Sequence, residues 1–184
     1  DLEGNANILE KRTIDVSNLN SRTIKWTLSA LHKAGYDEIE VIYSDKNALE
    51  TIQEMVKEVL MGFAIVEQTD KTVTLRSVTR DAPTEFDAAL RRAFLVTIAL
   101  SESSLKLIRE SKFEELLGLI NLEWTTNQLT NFCERIINKY GLENGKTKSF
   151  FYVIAWNLEK ICDNYTAISR LKFEKKLSND MLDV

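Results

Sequence analysis

The chain has 184 residues, of which 44% are hydrophobic, and its 28 acidic residues outnumber 24 basic ones to give a formal net charge of −4. This composition is typical of a folded globular protein, and the mild negative charge argues against a broad nucleic-acid-binding surface. No apolar run approaches the roughly 18 residues that a membrane-spanning helix needs, so we expect no membrane insertion. Cys133 and Cys162 form no CxxC pair, which indicates reduced, buried thiols in a cytoplasmic protein.

Residues 1–81 alternate between strand and helix signals. Strands are predicted over Ile8–Val16 and Glu38–Tyr43, and a hairpin over Phe63–Gln68 and Thr72–Val78. The first predicted helix is capped by Asn20 or Ser21 and ends at Gly35. The second is capped by Asp45 or Asn47 and ends at Gly62. Because crossovers between parallel strands are right-handed, this β-α-β-α-β-β order predicts helices on one face of a mixed sheet.

The character of the chain changes at its only proline, Pro83, and residues 82–184 are predicted to be helical. Thr84 and Asp87 resemble a capping box at the start of the first long helix. The three predicted helices run from Thr84 to about Ser111, from about Phe113 to Tyr140, and from near Thr147 to beyond Leu171. Short loops between long amphipathic helices favour antiparallel neighbours. The predicted fold is therefore an α+β protein, with a small α/β sandwich over residues 1–81 and an antiparallel three-helix bundle over residues 82–184.

The only histidine, His32, lies near the end of the first predicted helix. The helix dipole, whose negative end is the C-terminal end of the helix, favours a cation at this position. No residue pattern supplies the nucleophile or carboxylate partner that a catalytic histidine needs, so we expect no enzymatic activity.

Glu159 and Asp163 lie one turn apart on the last predicted helix, beside a row of apolar residues. Two acids next to a buried seam repel each other and lose hydration, so they require a positive partner. That partner is an arginine, a lysine, a proton or a metal ion. Arg91, Arg92 and Arg135 are the candidates for an arginine partner across the bundle.

Five segments, in this order along the chain, resemble the archaeal phosphate-uptake regulators, the PhoU-like family. They are Ala34–Val41 (AGYDEIEV), Gly62–Thr69 (GFAIVEQT), Glu85–Phe94 (EFDAALRRAF), Thr126–Arg135 (TNQLTNFCER) and Trp156–Asp163 (WNLEKICD). The resemblance covers about residues 23–170. It implies a PhoU-type three-helix bundle and a role in tuning phosphate import.

The family's metal signature, an acid followed four residues later by Asp on two helices, is matched by Glu159 and Asp163. The second copy is half matched by Glu123 and Asn127. The resemblance therefore implies a metal set of Glu123, Asn127, Glu159 and Asp163, with iron or zinc as its ion. Oxygen ligands without His or Cys favour iron or a hard cation such as Mg²⁺ over a closed structural zinc site.

The resemblance also implies a homodimer that acts by protein–protein interaction, with the ATPase of a phosphate transporter or a signalling kinase as the partner. An alternative is the dimerising and sensing portion of an AbrB-type transcriptional regulator, which would reach DNA only through an N-terminal domain missing here. The polar start without Met is consistent with such a missing domain. A metal-dependent hydrolase that uses Glu159 and Asp163 is less favoured, because it lacks His ligands.

Overall fold

The computed structural model describes residues 9–79, 83–141 and 147–173, and its first half contains a four-stranded mixed sheet. The elements are β1 (Lys11–Asp15), α1 (Ser21–Ala34), β2 (Glu38–Ile42), α2 (Lys46–Glu58), β3 (Phe63–Gln68) and β4 (Thr72–Ser77). The strand order is β1-β2-β4-β3, in which β1 and β2 are parallel and the other pairs antiparallel. The predicted element order is confirmed. The first strand is shorter than the predicted Ile8–Val16, and Ile8 lies outside the described residues.

Helices α1 and α2 cover one face of the sheet, as expected. The sheet residues Ile39, Val41, Val73 and Leu75 are fully buried together with Leu28 of α1. Local signals start both helices: the side chain of Asn20 accepts a hydrogen bond from the Thr23 amide, and that of Asp45 accepts one from the Ala48 amide.

Three long helices form the second half: α3 (Phe86–Arg109), α4 (Ile120–Tyr140) and α5 (Lys148–Phe173). The rings of Phe86 and Phe151 pack edge to face at 5.5 Å, and Thr97 lies beside Cys162, so α3 and α5 run parallel. The start of α3 packs against the end of α4, which runs antiparallel to both. This half has its own hydrophobic core, separate from that of the sheet. A domain boundary at residues 81 and 82 remains a prediction, since those residues are not described.

Two helix starts differ from the predictions. Residues Pro83–Glu85 form a 3-10 turn, α3 begins only at Phe86, and no side chain caps it, so the capping box of Thr84 and Asp87 is wrong. The second long helix does not begin at Phe113, because Glu115–Leu119 is also 3-10. Gly118 in that segment disfavours the α-helix. None of the helices in the described ranges combines the length and the apolarity needed to cross a membrane.

A buried arginine joins the two halves where α1 packs on α4. Arg135 of α4 is fully buried and donates hydrogen bonds to the carbonyl oxygens of His32, at 3.0 Å, and Tyr36, at 2.6 Å. It also pairs with the Asp37 carboxylate at 3.2 Å, and its guanidinium lies 5.1 Å from the centre of the Phe63 ring. Arg135 thus binds the carbonyl end of α1 and the turn into β2.

Two further contacts fix this junction. Asp37 also accepts a hydrogen bond from the Glu10 amide at 3.1 Å and pairs with the Lys139 ammonium. Gly35, which ends α1 with φ +102°, lies so close to α4 that an added Cβ would approach Lys139 Cβ to 3.0 Å. The glycine predicted as a helix stop therefore also permits close approach of the two halves.

His32 is not the dipole-stabilised cation that its position predicts. It is fully buried, and its Nε2 donates a hydrogen bond to the Met61 carbonyl oxygen at 3.0 Å. Burial, reinforced by the charges of Arg135 and Lys33, lowers the pKa of His32 to about 3, against the opposing effect of that hydrogen bond. The imidazole is neutral because desolvation outweighs the helix dipole.

We expect Arg135→Met to lower the free energy of unfolding by about 3–5 kcal/mol, because it leaves buried carbonyl groups and Asp37 without their main partner. The exposed Arg92 of α3 is the matched control, and Arg92→Met is expected to change stability by about 0.5 kcal/mol or less. Chemical denaturation measures both. Equal losses in the two variants would show that Arg135 does not hold the halves together.

Acidification is expected to destabilise the protein through His32. Its folded-state pKa of about 3 lies below the ordinary 6.5, so between these values the unfolded chain binds a proton that the folded chain does not. Stability is therefore complete above pH 6.5 and falls by about 1.4 kcal/mol per pH unit below it, or about 2 kcal/mol at pH 5.

His32→Gln keeps a side-chain donor for Met61 and removes the titration. Since the chain has one histidine, the wild-type-minus-variant difference in unfolding free energy isolates this group. The difference should shrink as the pH falls from 7 to 4. Parallel curves for the two proteins would contradict a neutral, buried His32.

Candidate functional site

Four polar residues of α4 form a row along one face, which we call the acceptor row. Glu123, Asn127, Asn131 and Glu134 are separated by four, four and three residues, and such spacings align side chains on a helix. Each has at least one buried side-chain oxygen without a hydrogen-bond partner in the described structure. Because buried acceptors normally find a donor, the row is the strongest sign of a binding function in the described residues.

The two acids of α5 differ in their surroundings. Glu159 has a buried Oε2 that accepts no hydrogen bond but lies 3.5 Å from the Lys33 ammonium. Asp163 is 39% exposed and pairs with Lys160 at 2.7 Å. Of the partners that the sequence left open, the structure shows lysines beside these acids, and the candidate Arg135 instead binds the α/β half.

Lys33 of α1 reaches across to the bundle and lies between two carboxylates. Its ammonium is 3.1 Å from Glu134 Oε2 and 3.5 Å from Glu159 Oε2. Burial raises the pKa of Glu134, and Lys33 partly offsets that rise. Burial by itself would lower the pKa of Lys33, but Glu159 and Glu134 outweigh it and raise that pKa. One lysine therefore lies within ion-pair distance of two acids, and its single positive charge can balance only one of them.

The four residues of the predicted metal set are not equally placed to hold a cation. Glu123, Asn127 and Glu159 each have a buried oxygen without a hydrogen-bond partner, whereas Asp163 is held by Lys160. Among the described residues, no group of three His, Cys, Asp or Glu side chains is arranged to hold one metal ion. The oxygen donors suit a hard cation, but the set remains a prediction.

Asn131, Glu134 and Lys33 were not identified as site residues from the sequence. The four-residue spacing that relates Glu123 to Asn127 continues to Asn131, and this continuation was the available signal. Lys33 carried no such signal, because its partners lie about a hundred residues away along the chain.

The cysteines are buried free thiols, as predicted. Burial raises the pKa of Cys133 to about 12, so its thiol stays protonated. Cys162 Sγ lies 3.4 Å from Thr97 Oγ1 in the core between α3 and α5. Both thiols lack the exposure that a reactive cysteine requires.

No protein-family model, curated protein or solved structure matches this chain. The likeness to PhoU-like regulators therefore depends on the sequence segments, and the function that it implies remains a proposal.

The metal set that the resemblance implies predicts that protein purified without chelator contains iron or zinc that is lost in Glu159→Gln/Asp163→Asn, because this double change removes both acids of α5 from the set. Elemental analysis measures the content per chain. The matched control is Glu50→Gln/Glu54→Gln, which removes two exposed acids four residues apart on α2. The same metal content in all three proteins, or none in any, would contradict the metal set.

Proposed function

We propose that this chain is a regulatory interaction protein of the PhoU-like kind, which pairs with a second copy of itself and tunes phosphate uptake by docking onto a protein of the import machinery. One observation carries the proposal: an exposed apolar surface formed by α3 and α5. We call it the α3–α5 face. It consists of Phe94, Ile98 and Leu105 of α3 and Phe150, Ile161 and Ile168 of α5, all large side chains that are 39–66% exposed.

The six side chains lie on the same side of the bundle. In α3, a residue that comes immediately before a core residue faces α4. Arg92, which precedes the core residue Ala93, shows this because it lines a cavity together with Leu129 and Phe132 of α4. Ile98 follows the core residue Thr97, so it projects from the opposite flank of α3, about 100° from the core direction.

In α5 the positions are reversed: the residue after a core residue faces α4, and the residue before a core residue faces away from it. Glu159 follows the core residue Leu158 and faces α1 and α4, where it meets Lys33. Ile161 precedes the core residue Cys162, so it projects from the flank away from α4. Since Thr97 and Cys162 touch, Ile98 and Ile161 lie at the same level of the bundle.

The α/β half cannot cover this face, because it occupies the other side of the bundle. It packs on α4, in which every residue from Asn131 to Ile137 is buried. Large apolar patches on monomers are uncommon and mark interaction sites. A symmetric dimer would bury the α3–α5 face of each copy against that of the other.

We expect the wild-type chain to be dimeric and Ile98→Lys/Ile161→Lys to be monomeric, because the dimer would bury two unpaired charges from each copy. Light scattering after size-exclusion chromatography measures the mass. In the source organism, the same double change should raise uptake of labelled phosphate in phosphate-rich medium.

Val66→Lys is the matched control, since Val66 is an apolar residue of β3 that is 43% exposed. It should leave both the dimer and the uptake unchanged. A monomeric wild type would contradict the role of the α3–α5 face. Unchanged uptake in a variant shown to be monomeric would contradict the regulatory role.

A further inference from the structure

A cavity of about 430 Å³ lies where α1, α4 and α5 meet, and nothing in the proposed function uses it. Lys33 and Trp26 of α1, Asn138 of α4, and Tyr152 and Glu159 of α5 form its walls. We propose that this cavity binds a small aliphatic ammonium ion, with Glu159 as the charged partner of the amine.

The charge around the cavity calls for one more cation. Among the described residues, the ammonium groups paired with Glu134, Glu159 and Asp163 are those of Lys33 and Lys160. Lys33 lies beside both Glu134 and Glu159, and Lys160 is closer to Asp163, at 2.7 Å, than to Glu159, at 3.7 Å. Within this described set, three carboxylates face two ammonium groups, and one further ammonium group would balance the charge.

The acid that makes this imbalance costly is Glu134, whose side chain is fully buried. Lys33 and the Tyr152 hydroxyl interact with it electrostatically, but neither carboxylate oxygen has a well-formed hydrogen bond in the described structure. Oε2 of Glu159, on the cavity wall, is also buried without such a bond. An ammonium group has three N–H donors for acceptors of this kind.

One helix end beside the cavity also favours a cation. Asn138 lies in the last turn of α4, whereas the carbonyl end of α1 is already bound by Arg135. C-terminal helix ends carry a partial negative charge. Glu159 lies well past the first turn of α5, where the opposite partial charge of that helix has faded.

The walls favour an organic cation over a bare metal ion. Trp26 and Tyr152 supply aromatic surface, and the ring of Trp26 already holds the Arg22 guanidinium 4.5 Å from its centre. Aromatic faces attract ammonium groups. The volume is within the range of small-molecule sites and far above that of one ion, and no three acids among the described residues are grouped to hold a metal.

Isothermal titration calorimetry on the full chain tests the proposal, with butylamine and 1,4-diaminobutane as ligands and butanol as their uncharged counterpart. We expect saturable binding of both amines and none of butanol. Glu159→Gln should weaken amine binding at least tenfold, and Trp26→Ala should weaken it several-fold. Glu54→Gln, which neutralises an exposed acid of α2, should leave it unchanged.

Circular dichroism checks that each variant is folded. Both Glu159 and Trp26 have exposed surface, so we expect the substitutions to be tolerated. Absence of saturable amine binding to the wild type would overturn the proposal. Equal affinity in Glu159→Gln would also overturn it, as would binding of Mg²⁺ without binding of either amine. The result is independent of the dimer, because the cavity and the α3–α5 face lie on opposite flanks of α5.

Discussion

The contact between Arg135 and the carbonyl end of α1 is the interaction on which the arrangement of the two halves depends. A guanidinium that is removed from water needs partners for its donors, and here two carbonyl oxygens and Asp37 accept three hydrogen bonds from it. Because the planar fork of arginine matches fixed acceptors, this contact sets both the distance and the orientation of the bundle relative to the sheet. Gly35 makes the same approach possible by lacking a side chain.

That placement decides which surfaces remain available. The sheet packs on α1 and α2, α1 packs on α4, and α4 is buried between the α/β half and the pair of α3 and α5. The outer side of α3 and α5 then remains as the apolar surface without a covering element in the described structure. The proposed binding surface therefore lies on the side opposite the sheet, where a partner would not contact the junction.

The same junction creates the electrostatic imbalance of the site. Lys33 reaches the bundle because α1 packs against α4. Its ammonium group then lies within 3.5 Å of carboxylate oxygens of both Glu134 and Glu159. Buried polar groups without a hydrogen-bond partner are uncommon in proteins, and a binding or catalytic role is one explanation for them. The acceptor row and the cavity beside it therefore belong to one polar region, and Glu159 is the residue that they share.

Local patterns in the sequence determined the order of the elements and the helix stop at Gly35, because these depend on hydrogen bonds within a few residues. They also reduced each of the first two N-caps to two candidates, of which the structure selects Asn20 and Asp45. They did not determine the charge pairs. Arg135 and Asp37 are 98 positions apart, and helical periodicity says which face a side chain occupies but not which distant residue meets it. His32 likewise looked like a favoured cation from its place in α1, and only tertiary burial made it neutral. The charged chemistry of this protein was decided by packing, since the energy of a charge depends on its removal from water and on neighbours supplied by other elements.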